Sequence, residues 1–343
     1  MYEKNGEKYF VVDGHTHFWD ASPENWKPGQ EQYAKGWIEC FHAYQGLGPP
    51  ETHWSLADFQ KYSEERMMKD VFTDGYVDVA IFQPTNLKQW YTEGFNTVER
   101  DALLKEKYPD KFVLNTTFDA REGDEGLRKL ESDVARWGCT GVKLYTAEWR
   151  GASRGWDLKS DEAARYLAKC QELGIKNVHV HKGPTIWPLD KDAFDVRDID
   201  HAATNFPELN FIVEHVGLPR IEDFCFMAVQ EPNVYAGLAV VVGGLMHARP
   251  RFFNRVMGEL LFWLGEDKLI FGADYAIWEP KWQVEGFVDW NMPDTEEYSD
   301  YGQVSIEAKK KILGLNAAKL YDLDVPAELR LEGQPVAEPV AAS

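Results

Sequence analysis

Cysteine is scarce in this chain. Its four copies, Cys40, Cys139, Cys170 and Cys225, are scattered through 343 residues with no Cys-x-x-Cys pair. That excludes a disulfide framework and a thiolate metal knuckle, and it reads as reduced thiols of a cytoplasmic protein. Positive charge is also short: 37 Lys and Arg stand against 57 Asp and Glu, a net charge of −20. A nucleic-acid or anionic-membrane partner needs a positive surface, so both are excluded as expectations. No apolar run is long enough to span a bilayer, and Met1 to Lys8 is charged where a signal peptide would be apolar.

What the chain does have is apolar and aromatic mass, 44% and 14% of residues, enough for one large packed core and too much for a disordered chain. Short β-rich runs alternate with helical patterns. Candidate strands lie near Tyr9–Asp13, Val77–Phe82, Phe112–Thr117, Gly141–Leu144, Lys176–His181, Asn210–Val213, Val234–Ala236 and Leu269–Phe271. Between them, Leu127, Leu130, Val134 and Trp137 share one helical face before Gly138. Ser160 can cap a second helix with the stripe Ala163, Tyr166, Leu167 and Cys170, ended by Gly174. Alternation of this kind implies a parallel sheet with helical crossovers, and eight units predict an α/β fold, a (β/α)8 TIM barrel in a single domain over residues 1–324.

Two segments break the rhythm. Asp20 to Ser55, rich in Trp, Tyr, Gly and Pro, is a long insertion after the first strand, expected over the barrel mouth as a lid or contact surface. From Val325 to Ser343 a tail with Pro326, Pro335, Pro339 and several Ala is expected to fray or to pack loosely on a neighbour.

The chemistry gathers at strand ends. Val11-Val12-Asp13-Gly14-His15-Thr16-His17 ends in His-x-His, and the two-residue repeat of a strand turns both imidazoles to one side, where they can clamp a metal. Val178-His179-Val180-His181 repeats the pattern. His181 at the end is the better ligand candidate, while His179, one layer deeper, is equally a hydrogen-bonded core residue. Phe211-Ile212-Val213-Glu214-His215 and Phe271-Gly272-Ala273-Asp274 end in His215 and Asp274. Taken singly, these ends read as a solvent-facing His and a helix-capping Asp. Together they put His15, His17, His181, His215 and Asp274 at the one rim where barrel strands converge. Lys143, ending the fourth strand, can be carboxylated to bridge two metals, or can bind a substrate anion or pair with a carboxylate.

These residues together resemble the amidohydrolase superfamily, in its amidohydrolase-related branch of sugar lactonases, dicarboxylate lactonases and metal-dependent decarboxylases. The likeness runs from Asp13 to about Leu323. It rests on Asp-Gly-His-Thr-His-Phe-Trp-Asp at 13–20, Val180-His181-Lys182-Gly183, Phe206-Pro207 through His215-Val216-Gly217, Gly272-Ala273-Asp274-Tyr275, and Leu315-Asn316-Ala317-Ala318-Lys319-Leu320-Tyr321. The Trp-rich insertion also looks like that of amidohydrolase-like proteins encoded beside bacterial binuclear-iron monooxygenases, which implies assembly of the partner oxygenase or processing of its product.

The resemblance implies one divalent ion held by His15, His17, His181 and Asp274. Zinc suits such ligands, with manganese and iron as alternatives. It implies Asp274 as the group that takes a proton from metal-bound water, and His215 as the hydrogen-bond donor to the substrate carbonyl oxygen. Asp13 would orient a ligand imidazole. Trp19, Arg121, Tyr145 and Arg150, with the loop residues Trp149, Trp187 and Trp278, would face a small organic acid, lactone or aromatic ring, although the tryptophans suit loop packing as well. The expected activity is a metal-dependent hydrolase of a lactone, amide or ester, with non-oxidative decarboxylation of an aromatic or unsaturated acid as the alternative. A third reading, an assembly protein, would use the insertion and its Trp26 and Trp37 for docking. Barrels of this size often pair with a second copy, and the sequence marks no surface for it.

Overall fold

A computed structural model describes residues 1–149 and 154–331. A short antiparallel hairpin, Tyr2–Lys4 with Glu7–Tyr9, leads into eight parallel strands. These are β1 (Val12–Thr16), β2 (Val79–Phe82), β3 (Phe112–Thr116), β4 (Gly141–Leu144), β5 (Asn177–His181), β6 (Asn210–Glu214), β7 (Val234–Gly237) and β8 (Leu269–Ile270). Each pairs with the next in chain order. The seam between first and last is closed by Gly14 N–H to the Phe271 carbonyl at 3.0 Å and His17 N–H to the Tyr275 carbonyl at 2.8 Å. Gly14 is required there, because an added Cβ would lie 2.8 Å from the Phe271 oxygen. The architecture is therefore the expected (β/α)8 barrel.

The first strand begins later than its sequence suggests. Tyr9 pairs back onto Tyr2, so the apolar run from Tyr9 is divided between the hairpin and the barrel. The crossover helices follow their stripes. Gly123–Trp137 ends on Gly138 in the left-handed region, φ 65°. Asp161–Glu172 starts on Ser160, whose hydroxyl accepts the Ala163 N–H at 3.1 Å.

Most of the core lies between the sheet and the helices. A smaller apolar group joins Val12, Ile81, Val113 and Ile270 to Leu315, Ala317, Ala318 and Tyr321, so the C-terminal helical segment plugs the end of the barrel away from the histidines. The part of the tail that is described packs here, with Leu329 buried. Residues 332–343, which hold the rest of the expected tail, lie outside the described residues.

Between β1 and β2 the chain makes a series of short helices, the longest being Glu31–Ala43. Its stripe Ala34, Trp37, Ile38 and Phe41 is buried. Trp37 meets Tyr145, one residue past β4, edge to face at 5.9 Å. The insertion is thereby sealed onto the strand ends by an aromatic contact. Among the described residues no helix is long and apolar enough to cross a membrane.

Candidate active site

The strand ends bring His15, His17, His181, His215, Lys143 and Asp274 around one cavity. His15, His215 and Asp274 form the tightest group, each offering a ligand atom within 4.8 Å of the others. Nε2 of His17 lies 3.5 Å and Nε2 of His15 3.7 Å from Oδ1 of Asp274. His181 joins through His215, its Nδ1 3.1 Å from His215 Nε2. His215 and Asp274 lie just beyond their strands in the left-handed region, with φ 66° and 59°. Such backbone is sparsely populated by residues other than glycine and persists where the surroundings enforce it. Here it turns side chains inward that simple alternation would have sent elsewhere.

Each imidazole has a polar partner within about 3.1 Å of its Nδ1. His15 Nδ1 lies 2.8 Å from Glu214 Oε2, His17 Nδ1 3.0 Å from Asn96 Oδ1, and His215 Nδ1 3.0 Å from the Ala239 carbonyl. These acceptors assign the proton to Nδ1 and leave Nε2 as a lone pair facing the cavity. With Nδ1 of His215 donating to Ala239, its Nε2 accepts from His181 Nδ1, and His181 Nε2 accepts from the Tyr145 hydroxyl at 3.4 Å, with the Pro184 carbonyl 3.5 Å away. Burial drives the pKa of His15 down to about 3 and lowers those of His181 and His215, so the rings are neutral. Burial acts to raise Asp274, but His15, the His17 hydrogen bond and His215 outweigh it and hold the carboxyl at about 2. Neutral imidazoles around an ionised carboxylate are the protonation states a divalent cation requires, so the donor set fits one.

Lys143 is fully buried with Nζ 3.5 Å from His15 Nε2. Burial lowers its pKa to about 8 against the pull of Glu214 and Asp274. It is the only cationic side chain among the described residues lining the cavity. The remaining walls are largely apolar and aromatic, including Trp37, Phe41, Phe95, Tyr145 and Trp278. The free volume is about 20 Å³, room for roughly one water.

Several expected partners stand elsewhere. Asp13 touches no imidazole ring. Its Oδ1 accepts backbone N–H groups of His15 and Ala273, at 3.0 and 2.8 Å, and so staples the barrel seam. Arg121 is outside the cavity because Asp119, two residues earlier, captures its guanidinium at 2.6 Å. Trp19 is buried behind the site, its indole N–H on the Phe59 carbonyl at 2.7 Å and its ring stacked on Phe95. Trp149 packs on Tyr33 and Trp90, and Trp187 lies half exposed on Tyr33. His179 sits below the cavity, bound to Glu214 and Tyr321. Arg150 lies outside the described residues. Trp37, expected on a docking face, is buried and lines the cavity, and Trp26 donates its indole N–H inward to the Ala21 carbonyl at 3.0 Å.

Glu214 and Asn96 escape the sequence reading. Glu214 was in plain view beside His215, on the parity of Ile212 that faces the barrel interior. Asn96 belongs to a loop with no motif to mark it.

The fold is shared with solved structures of low sequence identity. An uncharacterised TIM-barrel protein of Bordetella bronchiseptica aligns at TM-score 0.65 and 18% identity, over 91% of this chain and 98% of its own. The 2,6-dihydroxybenzoate decarboxylase from Rhizobium aligns at TM-score 0.60 and 14% identity, over 93% and 100%. A dihydroxybenzoic acid decarboxylase from Polaromonas, solved with manganese and the inhibitor 2-nitroresorcinol, aligns at TM-score 0.56 and 14% identity, over 94% and 99%. No curated protein matches the chain by sequence. The family model described as Amidohydrolase matches residues 12–323, from the first barrel strand to the end of the closing helical segment, and the chain belongs to that amidohydrolase family.

Proposed function

We propose that this protein is a metal-dependent enzyme that removes CO2 from a small aromatic or unsaturated carboxylic acid. The observation that carries the reading is a nearly closed aromatic cavity with one buried cation, Lys143, beside the His and Asp cluster. Its aromatic walls and single cation match a flat ring bearing a carboxylate, which the walls must part to admit because the free space holds only about one water, and its enclosure favours loss of an uncharged product over attack by bulk water. The decarboxylases of similar fold give the same direction, and the manganese in one of them favours that metal among zinc, manganese and iron.

His15, His17, His181 and Asp274 would hold one divalent ion, with His215 close enough to substitute for one of them. When bound, that ion would fix a substrate carboxylate and a neighbouring oxygen, or acidify a bound water. Lys143 pairs with the substrate's anionic group. Trp37, Phe41 and Trp278 clamp the ring. His215 Nε2, bare in the resting protein, first takes up a proton from solvent and then delivers it to the carbon that loses the carboxyl group as CO2. Asp274 is a poor acid, since its neighbours keep it ionised.

That same ionised carboxylate favours the second reading, hydrolysis of a lactone, amide or ester, in which Asp274 accepts a proton from water. A panel of hydroxybenzoates, unsaturated dicarboxylates, lactones and amides separates the two. Decarboxylation requires CO2 release abolished in His215→Asn. Ring opening or amide cleavage without CO2 overturns it in favour of hydrolysis.

A further inference from the structure

Glu214 divides its two oxygens between two imidazoles. Oε2 lies 2.8 Å from Nδ1 of His15, and Oε1 lies 2.5 Å from Nδ1 of His179. All three side chains are buried. The Tyr321 hydroxyl, brought in by the C-terminal segment, lies 2.7 Å from His179 Nε2 and 3.1 Å from Asn115 Oδ1. Asn115 donates to Gln83 Oε1 at 3.2 Å, and Gln83 donates to the Gly14 carbonyl at 2.7 Å. The ring of polar groups thus leaves His15 through its side chain and returns to the peptide just before it.

The other imidazoles are held differently. His17 rests on the amide oxygen of Asn96, and His215 on the carbonyl of Ala239, both neutral acceptors. Among the histidines of the cavity, His15 is the one whose Nδ1 meets a carboxylate. A carboxylate on Nδ1–H fixes the tautomer and makes the opposite nitrogen a stronger donor, whereas a carbonyl does mainly the first. His179 and Tyr321 do not reach the cavity. Their position accounts for a different need: the second Glu214 oxygen sits inside the barrel and requires partners if the carboxylate is to stay ionised and still.

We propose that Glu214, held by His179 and Tyr321, is the positioning residue that sets His15 as an Nε2 donor to the metal ion. Tyr321 thereby ties the plug at the far end of the barrel to the ion at its mouth. This rests on the reading that the cluster binds a metal, and the experiment tests the two separately.

Affinity for manganese and for zinc is measured by chelator competition on the folded protein, for the parent, Glu214→Gln and Tyr321→Phe. Glu214→Gln, which keeps size but removes charge, is expected to weaken binding about 10- to 100-fold, with Tyr321→Phe losing less in the same direction. A purely structural role would lower the melting temperature and leave the affinity of the folded fraction unchanged. Affinity within twofold of the parent in folded Glu214→Gln overturns the inference. Spectra of the metal-free protein labelled with ¹⁵N-histidine provide the second arm. His15 is expected to be protonated on Nδ1 and bare on Nε2, and to lose that preference in Glu214→Leu. If the parent binds neither ion, the metal reading fails. The His15 tautomer then decides Glu214 alone: loss in Glu214→Leu keeps it as the group that orients His15, and the same tautomer in both proteins overturns it.

Discussion

Lys182 Nζ lies 2.8 Å from Asp198 Oδ1, with both side chains sealed from solvent directly behind His181. The ammonium also donates to the Ala193 carbonyl at 2.9 Å and the Thr146 hydroxyl at 3.2 Å, so one cation binds together the loops that follow β4 and β5. A buried pair of this kind costs desolvation on both sides, and its removal from one side strands a charge.

Lys182→Ala is therefore expected to destabilise the fold by about 3–5 kcal/mol. The double variant Lys182→Met with Asp198→Leu, which removes both charges and keeps volume, is expected to recover most of that loss. Urea denaturation of the three proteins checks it. Equal stability of the single and double variants would show that the stranded carboxylate is not the source of the cost.

The insertion supplies a second test. Trp37 is buried between Phe41, Phe95 and Tyr145, with ring centroids 5.0, 5.7 and 5.9 Å away. Truncation of a fully buried aromatic costs about 3–5 kcal/mol, part of it from the cavity left behind. Trp37→Ala is expected to lower stability by that order and to admit larger ring-bearing ligands, while Trp37→Phe keeps the fold with a smaller loss. Denaturation midpoints and the size range of bound aromatic acids read the two effects. An unchanged midpoint in Trp37→Ala would mean that the insertion is not packed as described.

How much of this was legible in the sequence depends on where a residue sits in its strand. Within strands, alternation places side chains well: Val178 and Val180 face the helices while His179 and His181 face the barrel interior. At strand ends the rule breaks. Glu214 and His215 are neighbours and strict alternation sends them to opposite sides, Glu214 inward with Ile212, but the positive φ at His215 turns its side chain inward as well. Local pairs mislead in another way: Arg121 has the look of an anion-binding loop residue until Asp119 is found beside it. Asn96, which orients His17, is kept in place by both oxygens of Asp101, at 3.0 and 2.9 Å, and neither residue carries a motif. Such contacts depend on tertiary folding of loops, which periodicity does not encode.

Glu148 gives a pH-dependent expectation. Burial first, and then Asp119, raise its carboxyl to about 7, against the lowering effect of the Leu87 N–H at 2.8 Å and of Arg121. A carboxyl whose folded pKa exceeds its unfolded one holds its proton more tightly when folded. It adds stability below the unfolded value near 4.5, and that contribution is lost as the pH rises through about 7. Glu148→Gln mimics the protonated side chain. It is expected to match the parent near pH 4 and to exceed it in melting temperature above pH 7. A constant difference across that range would remove burial of Glu148 as the cause.

The metal count tests the role of Lys143. One ion among His15, His17, His181 and Asp274 leaves the Lys143 ammonium free to meet a substrate anion, whereas a carboxylated Lys143 would bridge two ions. The buried amine sits 3.5 Å from His15 Nε2, and Glu214 and Asp274 both act to keep it charged. A charged lysine is a hydrogen-bond donor and not a ligand. Elemental analysis of the purified protein is therefore expected to find about one manganese, zinc or iron per chain, lost in His17→Ala and Asp274→Ala and retained in Lys143→Met. In the same Lys143→Met protein, loss of a charge-assisted hydrogen bond worth about 1.5–3 kcal/mol should raise KM for a carboxylate substrate roughly 10- to 100-fold. Two ions in the parent and fewer in Lys143→Met would reassign the lysine from substrate binding to the metal centre.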